Sequence, residues 1–405
     1  MNDLELDLLN FNEFGKQTRV EIVRHESRDI PVYTNEFWTA KQRAGCSLHE
    51  ISYRACFKPQ LPRFFIDRLT KSGDVVYDPF MGRGTTLLEA ALKDRVSVGC
   101  DMNPLSRILL SPRLNPPTLK EVENRLSEIE LSGSSIEGAE ELLCFYHKDT
   151  FRELVTLKTY LSEKEESEEL DRIDSWIRMV ATNRLTGHSS GFFSVYTMPP
   201  NQAVSIESQL KINERRNQTP PYRDVAKVIL KKSKSLLNRV SQDELSQLQQ
   251  SSERYLLLTG SADSTSQIRD ESVSLVVTSP PFLDVVNYQQ DNWLRCWFNG
   301  MDAAEIPIWQ IRSAEDWIAK MTGVFRELKR VLKPGGHIAF EVGEIRKGKI
   351  LMEHLVIPAA QDAGLSPKLI LVNDQIFTKT ANCWGITNQR KGTNTNRIIL
   401  LRKGA

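Results

Sequence analysis

The stretch VVYDPFMGRGTTLLEAAL, residues 75–92, decides the fold of this chain. Its first four residues are a short apolar run, which predicts a buried strand. A loop with two glycines follows at 79–84, and residues 85–94 predict a helix whose threonines can cap its start. Residues 97–101 (SVGCD) predict a second strand that ends in an acid. Strand, glycine loop, helix and strand together predict one βαβ unit of a parallel sheet.

The alternation of strands and helices continues on both sides of this unit. Further strands are predicted at 255–258, 273–278, 337–342, 368–377 and 396–402. Helices are predicted at 61–69, 291–298, 314–332 and 352–363, with a helix-ending turn at Pro334-Gly335-Gly336. The residues between 119 and 254 are instead mostly polar and follow a helical pattern. We therefore expect two α/β segments, 1–118 and 255–405, on either side of a helical insert.

The composition is that of a globular protein. Of the 405 residues, 40% are hydrophobic and 26% are charged, which excludes a disordered chain, a collagen and a disulfide scaffold. The length suits two domains or one domain with a large insertion. Residues 1–16 are acidic and lack the apolar region of a signal peptide, and no run approaches the ~18 apolar residues of a membrane span. We therefore expect a cytoplasmic protein without a membrane partner.

The cysteines predict no special chemistry. No two of them form a CxxC pair, so neither a zinc site nor a disulfide framework is expected. We expect scattered, reduced and mostly buried thiols. The six are Cys46, Cys56, Cys100, Cys144, Cys296 and Cys383.

The charge is segregated along the insert. The net charge of +1 at pH 7 would by itself argue against a nucleic-acid partner. Residues 121–174, however, hold sixteen acidic and six basic side chains, a net of −10, whereas 211–239 hold nine basic and two acidic ones, a net of +7. Lys227, Lys231 and Lys234 share one helix face at i, i+4 and i+7. This basic face either contacts nucleic-acid phosphates or is an ordinary solvated surface.

The loop DPFMGRGTT, residues 78–86, lies where a strand meets a helix. Gly82 and Gly84 permit close backbone approach, and the helix start adds free N–H groups. Ligands of parallel α/β sheets bind at this carboxyl edge. Asp101, at the end of the next strand, is placed either to hydrogen-bond a ribose diol or to cap the next helix. The loop lacks the third glycine of the dinucleotide fingerprint and the lysine of a P-loop, so the alternative is a tight strand-to-helix turn.

The second motif is TSPPF, residues 278–282, directly after a strand. Two prolines cannot continue a strand or a helix, so they predict a rigid loop whose carbonyls lack local partners and point outward as acceptors. Ser279 Oγ and the Pro280 carbonyl can accept the two N–H protons of an exocyclic amine, while Phe282 stacks on the ring that bears it. The alternative is a rigid turn with a buried phenylalanine.

Together the two motifs resemble those of the amino-group DNA methyltransferases, which transfer methyl from S-adenosylmethionine to N4 of cytosine or N6 of adenine. DPFMGRGTT is similar to the cofactor loop of that family. TSPPF is similar to its catalytic loop, in the serine form that is more typical of the N4-cytosine branch. Four further segments extend the resemblance: ISYRACFKP at 51–59, DESVSLVV at 270–277, LKPGG at 332–336 and NRII at 396–399.

The resemblance implies a fold and a set of site residues. The fold is a Rossmann-like class I methyltransferase fold, with a mixed, mostly parallel seven-stranded sheet and a mainly helical insertion. The catalytic residues would be Ser279, Pro280, Pro281 and Phe282. The cofactor would be bound by Phe57, Asp78, Pro79, Phe80, Gly82, Gly84, Thr85, Asp101 and Thr278, with Asp101 at the ribose. Where the family often has Gly-Asp near the adenine, this chain has Gly260-Ser261-Ala262-Asp263, so either Ser261 or Asp263 would take that position.

The function implied is site-specific methylation of N4 of a flipped-out cytosine in double-stranded DNA. The insert would recognise the target and contact DNA through Arg215, Arg216, Lys227, Lys231 and Lys234. Asp291 would contact the flipped base or later take a proton, and the alternative is an ordinary acid at a helix start. The alternatives are methylation of adenine N6 in DNA, methylation of an exocyclic amine in RNA, and a non-catalytic subunit of the same fold. A restriction endonuclease is a further candidate partner.

Overall fold

The computed structural model describes most of the chain. The described residues are 3–25, 28–39, 45–54, 56–132, 139–198, 202–281, 288–309, 311, 313–342, 344–345, 350–374 and 395–404. Phe282 of the predicted catalytic loop and Cys383 lie outside them. No helix in these ranges is both long and apolar enough to cross a membrane.

The described residues form eleven strands and thirteen helices. The strands are β1 (Arg19–His25), β2 (Arg28–Asn35), β3 (Val75–Asp78), β4 (Val96–Asp101), β5 (Tyr255–Thr259), β6 (Val273–Thr278), β7 (Leu332–Val342), β8 (Glu344–Ile345), β9 (Ile350–Leu351), β10 (Ser366–Asp374) and β11 (Thr395–Arg402). The helices are α1 (Asp3–Asn10), α2 (Gln60–Leu69), α3 (Thr85–Leu92), α4 (Leu105–Leu114), α5 (Leu119–Glu128), α6 (Lys148–Glu166), α7 (Arg172–Arg184), α8 (Ile206–Arg216), α9 (Val225–Leu237), α10 (Gln242–Gln250), α11 (Tyr288–Phe298), α12 (Ala314–Val331) and α13 (Glu353–Asp362).

The main sheet has the order β1-β2-β10-β11-β7-β6-β3-β4-β5. Neighbours from β7 to β5 pair in parallel, β11 runs antiparallel to both of its neighbours, and β2 pairs in parallel with β10. The mixed, mostly parallel sheet of the Rossmann-like class is therefore confirmed. The seven expected strands are all present, but the sheet has nine, because the hairpin of β1 and β2 pairs with the edge strand β10 and extends the sheet.

Helices cover both faces of the sheet. Along β3 and β6 successive side chains alternate between the two faces, so Val76 and Leu275 join one core while Tyr77 and Val276 join the other. The first core is closed by α1 and α2, and the second by α12 and α13. This three-layer arrangement leaves the ends of the strands as the accessible edges of the sheet.

The helical insert packs directly on the α/β part. Thr118 and Ser241 each form a capping box with a glutamate three residues later, at the starts of α5 and α10. A third core joins side chains of α3 and α4 to side chains of α6, α7 and α9. The insert therefore shares a continuous hydrophobic core with the helices that follow β3 and β4.

The turn expected at Pro334-Gly335-Gly336 lies inside strand β7 and does not follow the helix as a separate turn. The strand begins at Leu332, which pairs with Val273, and the next paired residues are His337 and Leu275. Between these two pairs β7 has more residues than β6, so the extra residues of β7 form a bulge. Gly335 lies in this bulge and has a φ of +76°. A proline next to such a bulge is tolerated because the ladder hydrogen bonds are already interrupted there.

Candidate active site

The site begins where the order of the strands reverses. From β3 the chain continues to β4 and β5 on one side, while β6 and β7 lie on the other, so the carboxyl ends of β3 and β6 form the topological switch point. Asp78 ends β3 and Thr278 ends β6. Thr278 Oγ1 donates a 2.6 Å hydrogen bond to Asp78 Oδ1. Burial raises the pKa of the Asp78 carboxyl to about 7, although hydrogen bonds from Thr278 and from the Phe80 amide favour its ionised form.

The glycine loop is tied to the end of β4. The Gly82 amide donates to Asp101 Oδ2 at 2.8 Å, and the Asn103 amide donates to Asp101 Oδ1 at 2.8 Å. Gly82 and Gly84 have φ of +49° and +76°. A Cβ on Gly84 would lie 2.5 Å from the Leu110 side chain, so this position requires glycine for space as well as for conformation.

These elements enclose a cleft of about 860 Å³, counting the space at its mouth. Ten of the site residues expected from the sequence line the cleft: Phe57, Asp78, Pro79, Phe80, Gly82, Thr85, Asp101, Ser279, Pro280 and Pro281. The structure therefore brings the two sequence motifs, some 200 residues apart, to the walls of one cavity.

Four expected cofactor residues, Gly84, Ser261, Asp263 and Thr278, are not among the residues that line the cleft. Thr278 is fully buried against Asp78, and Gly84 forms the turn into α3. Neighbours of Ser261 and Asp263, namely Gly260 and Ala262, line the cleft in their place. Ser261 donates to Asp263, which forms a 2.7 Å ion pair with Lys320 of α12. Burial alone would raise the pKa of Asp263, but the hydrogen bonds from Lys320 and Ser261 hold it below its usual value.

Residues 278–281, the described part of the TSPPF loop, are held from behind by α12. Trp317 is fully buried, and its indole N–H donates to the Pro281 carbonyl at 3.1 Å. The expectation that both proline carbonyls point outward as acceptors is therefore wrong for Pro281, because a buried donor from a distant helix reaches its carbonyl. Among the described residues no donor meets the Pro280 carbonyl, which keeps its acceptor capacity towards the cleft.

Glu341 of β7 lies outside both motifs but interacts with Ser279 of the TSPPF loop. Burial raises the pKa of its carboxyl, whereas hydrogen bonds with Asn396 and Ser279 act in the opposite direction. Asn396 of β11 donates to Glu341 Oε1 at 2.8 Å. The sequence signal was an acid within the apolar strand HIAFEV, residues 337–342. Ser279 thus connects the cleft to a carboxylate on the next strand.

Residues 51–54, part of the segment 51–59 that extends the resemblance, lie at a second wall of the cleft. Tyr53 and Arg54 line the cleft. The Asn183 side chain of α7 accepts from the Ser52 amide at 3.1 Å and donates to the Ser52 carbonyl at 2.8 Å. Arg83 of the glycine loop donates to the Ile51 carbonyl at 2.9 Å. The insert and the glycine loop therefore hold this wall together.

Asp291 takes the position that one of its alternatives predicted, that of an acid at a helix start. It lies in the first turn of α11, 5% exposed, and accepts a 2.6 Å hydrogen bond from Arg54. Ile308 and Trp309, which follow α11, also line the cleft. Trp309 meets the Phe80 ring edge-on at 5.9 Å, and Lys320 lies 4.3 Å from its centroid.

The expected nucleic-acid residues lie on two helices of the insert. Arg215 and Arg216 end α8, and Lys227, Lys231 and Lys234 lie on α9; all five are exposed and none lines the cleft. Arg216 stacks on Tyr196 with 3.8 Å between the guanidinium carbon and the ring centroid. Phe193, in the loop between α7 and α8, is fully buried, so it packs in the core. Because these cations are exposed but do not line the cleft, they can contact a large ligand on the protein surface but not a small ligand inside the cleft.

A family model described as DNA methylase (N6_N4_Mtase) matches residues 12–106 and 273–404, which is more than half of the chain. The chain is 24% identical to the Type II methyltransferase M.BsoBI of Geobacillus stearothermophilus over 332 residues, 75% of this chain and 64% of that protein. It is 24% identical to the Type II methyltransferase M.MvaI of Kocuria varians over 273 residues, 57% of this chain and 52% of that protein. The chain thus spans less than two thirds of the length of these relatives.

Among solved structures, the chain is similar to TrmN from Thermus thermophilus. The two share 12% sequence identity with a TM-score of 0.35, over 96% of this chain and 61% of that one. The internal stretch that the family model leaves unmatched, 107–272, includes the whole helical insert, 119–254.

Proposed function

Because the chain belongs to the DNA methylase family, we propose that it transfers a methyl group from S-adenosylmethionine to N4 of a flipped-out cytosine in double-stranded DNA. The observation that carries the proposal is the single cleft that Asp78, Gly82 and Asp101 share with Ser279 and Pro280. A cofactor loop and an amine-binding loop at one sheet edge are what a methyl transfer to an exocyclic amine requires. The serine at the start of the catalytic loop supports cytosine over adenine.

The chemistry of the cleft fits S-adenosylmethionine. Two carboxylates, Asp78 and Asp101, suit the ribose hydroxyls and the amino group of the methionine part, and Phe80, Ala262 and Trp309 provide apolar surface for the adenine. Gly82, which lines the cleft, has a φ of +49°, a backbone conformation that favours glycine. When bound, the cofactor supplies an activated methyl group with a neutral thioether as its leaving group.

The catalytic loop would orient the amine. Ser279 Oγ and the Pro280 carbonyl are acceptors for the two N–H protons, and holding both directs the nitrogen lone pair towards the methyl group. Trp317 keeps the loop in place through Pro281. Ser279 can accept an N–H while donating its own proton to Glu341. We assign to Glu341 the acceptance of the proton that the amine releases after transfer.

In this proposal the insert recognises the DNA. Extruding a base from the duplex costs a few kcal/mol, which contacts with the rest of the duplex must offset. The exposed cations of α8 and α9 suit the phosphate backbone, and the Asn183 contact joins the same insert to the cleft wall. The protein would act in the cytoplasm on the DNA of the nucleoid, with a restriction endonuclease as a candidate partner.

The direct test is incubation of the protein with radiolabelled S-adenosylmethionine and either double-stranded DNA or RNA, followed by digestion to nucleosides. We expect label in N4-methyldeoxycytidine and none in RNA nucleosides. Label in N6-methyldeoxyadenosine would replace the cytosine assignment but keep the DNA activity. Label only in RNA nucleosides, or no transfer from a protein that binds S-adenosylmethionine, would overturn the proposal.

A further inference from the structure

The connection between α7 and α8 begins with a closed loop, residues 187–197. The Thr197 amide donates to the Gly187 carbonyl at 3.1 Å, and Gly187 also forms a bridge with Tyr196, so the two ends of the loop meet. The Phe193 amide donates to the Arg184 carbonyl at 3.0 Å, which ties the loop to the end of α7. Compact surface loops whose ends meet in this way are frequently functional.

Phe192 supports this loop from inside. Its ring packs against Gly187, where a Cβ would lie 2.4 Å from the ring, so this position requires glycine for space. The same ring lies over Arg184, with 4.0 Å between the guanidinium carbon and the ring centroid. Arg184 is buried and donates to the backbone and side-chain oxygens of Asn183. The loop therefore rests on a fixed base.

The tip of the loop, residues 188–190, is polar and exposed. Among the described residues, the side chains of His188 and Ser190 have no hydrogen-bond partner, and Ser189 Oγ accepts one bond, from the Gly191 amide at 3.4 Å. An imidazole and two hydroxyls can each donate and accept hydrogen bonds. Hydroxyl groups are among those that contact base edges in the grooves of DNA.

The loop lies between the cleft and the exposed cations of α8. On one side of it, Asn183 holds Ser52 of the cleft wall through two hydrogen bonds. On the other side, Arg216 stacks on Tyr196, and Gln209 of α8 donates to the Tyr196 carbonyl at 3.2 Å. A duplex that places its phosphates on α8 and one base in the cleft therefore passes over this loop.

We propose that the tip residues His188, Ser189 and Ser190 contact base edges in a groove of the DNA beside the target base and thereby determine part of the recognition sequence. The inference rests on the proposed function only in taking double-stranded DNA as the substrate. It separates two tasks within the insert. The cations of α8 and α9 contact phosphates and provide affinity without sequence preference, whereas the tip distinguishes bases. The fixed base of the loop suits this task, because discrimination between bases needs donors and acceptors at defined positions.

The test is a selection by DNA binding, which requires no methyl transfer. Wild type and variants, each with S-adenosylhomocysteine, are mixed with a pool of duplexes of randomised sequence, and the bound duplexes are sequenced. Wild type should enrich a defined sequence motif. In the variant that combines His188→Ala, Ser189→Ala and Ser190→Ala, the preference at one or more positions of this motif should fall by about five- to a hundredfold, the discrimination that contacts with one base edge provide. The Kd for S-adenosylmethionine should not change.

The matched control combines Gln249→Ala and Gln250→Ala, at two exposed polar residues of the insert at the end of α10. Gln247 of this helix donates to Asp94, just before β4 and so at the opposite edge of the sheet from the cleft. This control should keep both the motif and the affinity of wild type.

A variant that combines Lys227→Ala and Lys231→Ala should bind all duplexes less tightly and keep the motif, because phosphate contacts carry no sequence information. A tip variant that retains every position of the motif overturns the proposal, as does a wild type that enriches no motif. An equal loss of affinity for all duplexes in the tip variant also overturns it, since the tip would then contact phosphates. A wild type that enriches a motif but transfers no methyl group to DNA refutes the proposed function and leaves the role of the tip to be decided by its variant.

Discussion

At Asp78, burial and hydrogen bonding act on the carboxyl in opposite directions, and burial dominates. The ordinary pKa of 3.8 rises to about 7 in the folded chain. Between these two values the folded protein binds more protons than the unfolded one, so stability falls as pH rises through this window. A cationic group next to Asp78 would favour the ionised form and restore part of that stability.

The first prediction concerns this pH dependence. Without ligand, the unfolding free energy of wild type should decrease from about pH 5 to about pH 8 relative to that of Asp78→Asn, whose amide does not ionise. Urea unfolding of both proteins at several pH values measures the difference. Parallel pH profiles for the two proteins would show that Asp78 keeps an ordinary pKa in the folded state.

The second prediction concerns the catalytic loop. Ser279→Ala should lower kcat by about a hundredfold, the usual cost of removing one positioned polar group, while the Kd for S-adenosylmethionine stays unchanged. Phe282→Ala should also lose most activity with cofactor binding retained. Ser274→Ala is the matched control. Ser274 lies near the start of β6, whereas Ser279 directly follows the end of this strand, and Ser274 also donates to a carboxylate, that of Asp74, at 2.8 Å. Wild-type rates in both Ser279→Ala and Phe282→Ala would contradict the assignment of this loop.

The third prediction concerns Glu341. If Ser279 passes the proton of the amine to Glu341, the two residues act as one unit and their effects are not additive. Glu341→Gln should reduce kcat by about a hundredfold, within the usual range for a proton-transfer residue, and the double variant with Ser279→Ala should lose little more. Single-turnover rates for the four proteins of this cycle measure the coupling. If the fold-loss of the double variant equals the product of the two single losses, Glu341 acts independently of Ser279.

At the scale of elements, the sequence predicted the bounds of the strands and helices around the site with small errors. Strands β3 and β6 begin and end where expected, because short apolar runs bounded by turn residues are strong signals. The hairpin of β1 and β2 was missed, since the side chains of β1 are mostly exposed and give no apolar run. Arg54, Glu341 and Trp309 were missed for another reason: their roles arise from contacts between distant segments, which no local pattern encodes.

The fourth prediction concerns helices α8 and α9. If Arg215, Arg216, Lys227, Lys231 and Lys234 all meet phosphates, replacing all five by alanine should make the log–log salt slope of DNA binding less steep by about 4–5. Fluorescence anisotropy of a labelled duplex at several salt concentrations measures the slope. Lys120→Ala is a control matched to Lys227, since both lysines are strongly exposed and pair with an acid three residues away. An unchanged slope would remove α8 and α9 from the DNA interface.

At the scale of the whole molecule, the insert and the α/β part depend on one core. Leu88 of α3 and Leu110 of α4 pack in the same cluster as Trp176 and Ile177 of α7. The glycine loop touches this cluster as well, because Gly84 lies against Leu110. Regions that share a hydrophobic core unfold together, so we expect the cleft to unfold when the insert unfolds.

The last prediction follows from this shared core. Trp176 is fully buried, and its indole donates to Ser233 of α9 at 2.9 Å. Trp176→Ala should destabilise the fold by about 3–5 kcal/mol and lower the temperature at which S-adenosylmethionine binding is lost, although Trp176 lies in the insert. Calorimetry and ligand binding followed along the same temperature scale should report one coincident transition. The control is Tyr222→Ala, at an aromatic residue of the insert that is 49% exposed. It should change neither the unfolding temperature nor the temperature at which S-adenosylmethionine binding is lost. A cleft that still binds S-adenosylmethionine after the insert has melted would show that the two parts fold independently.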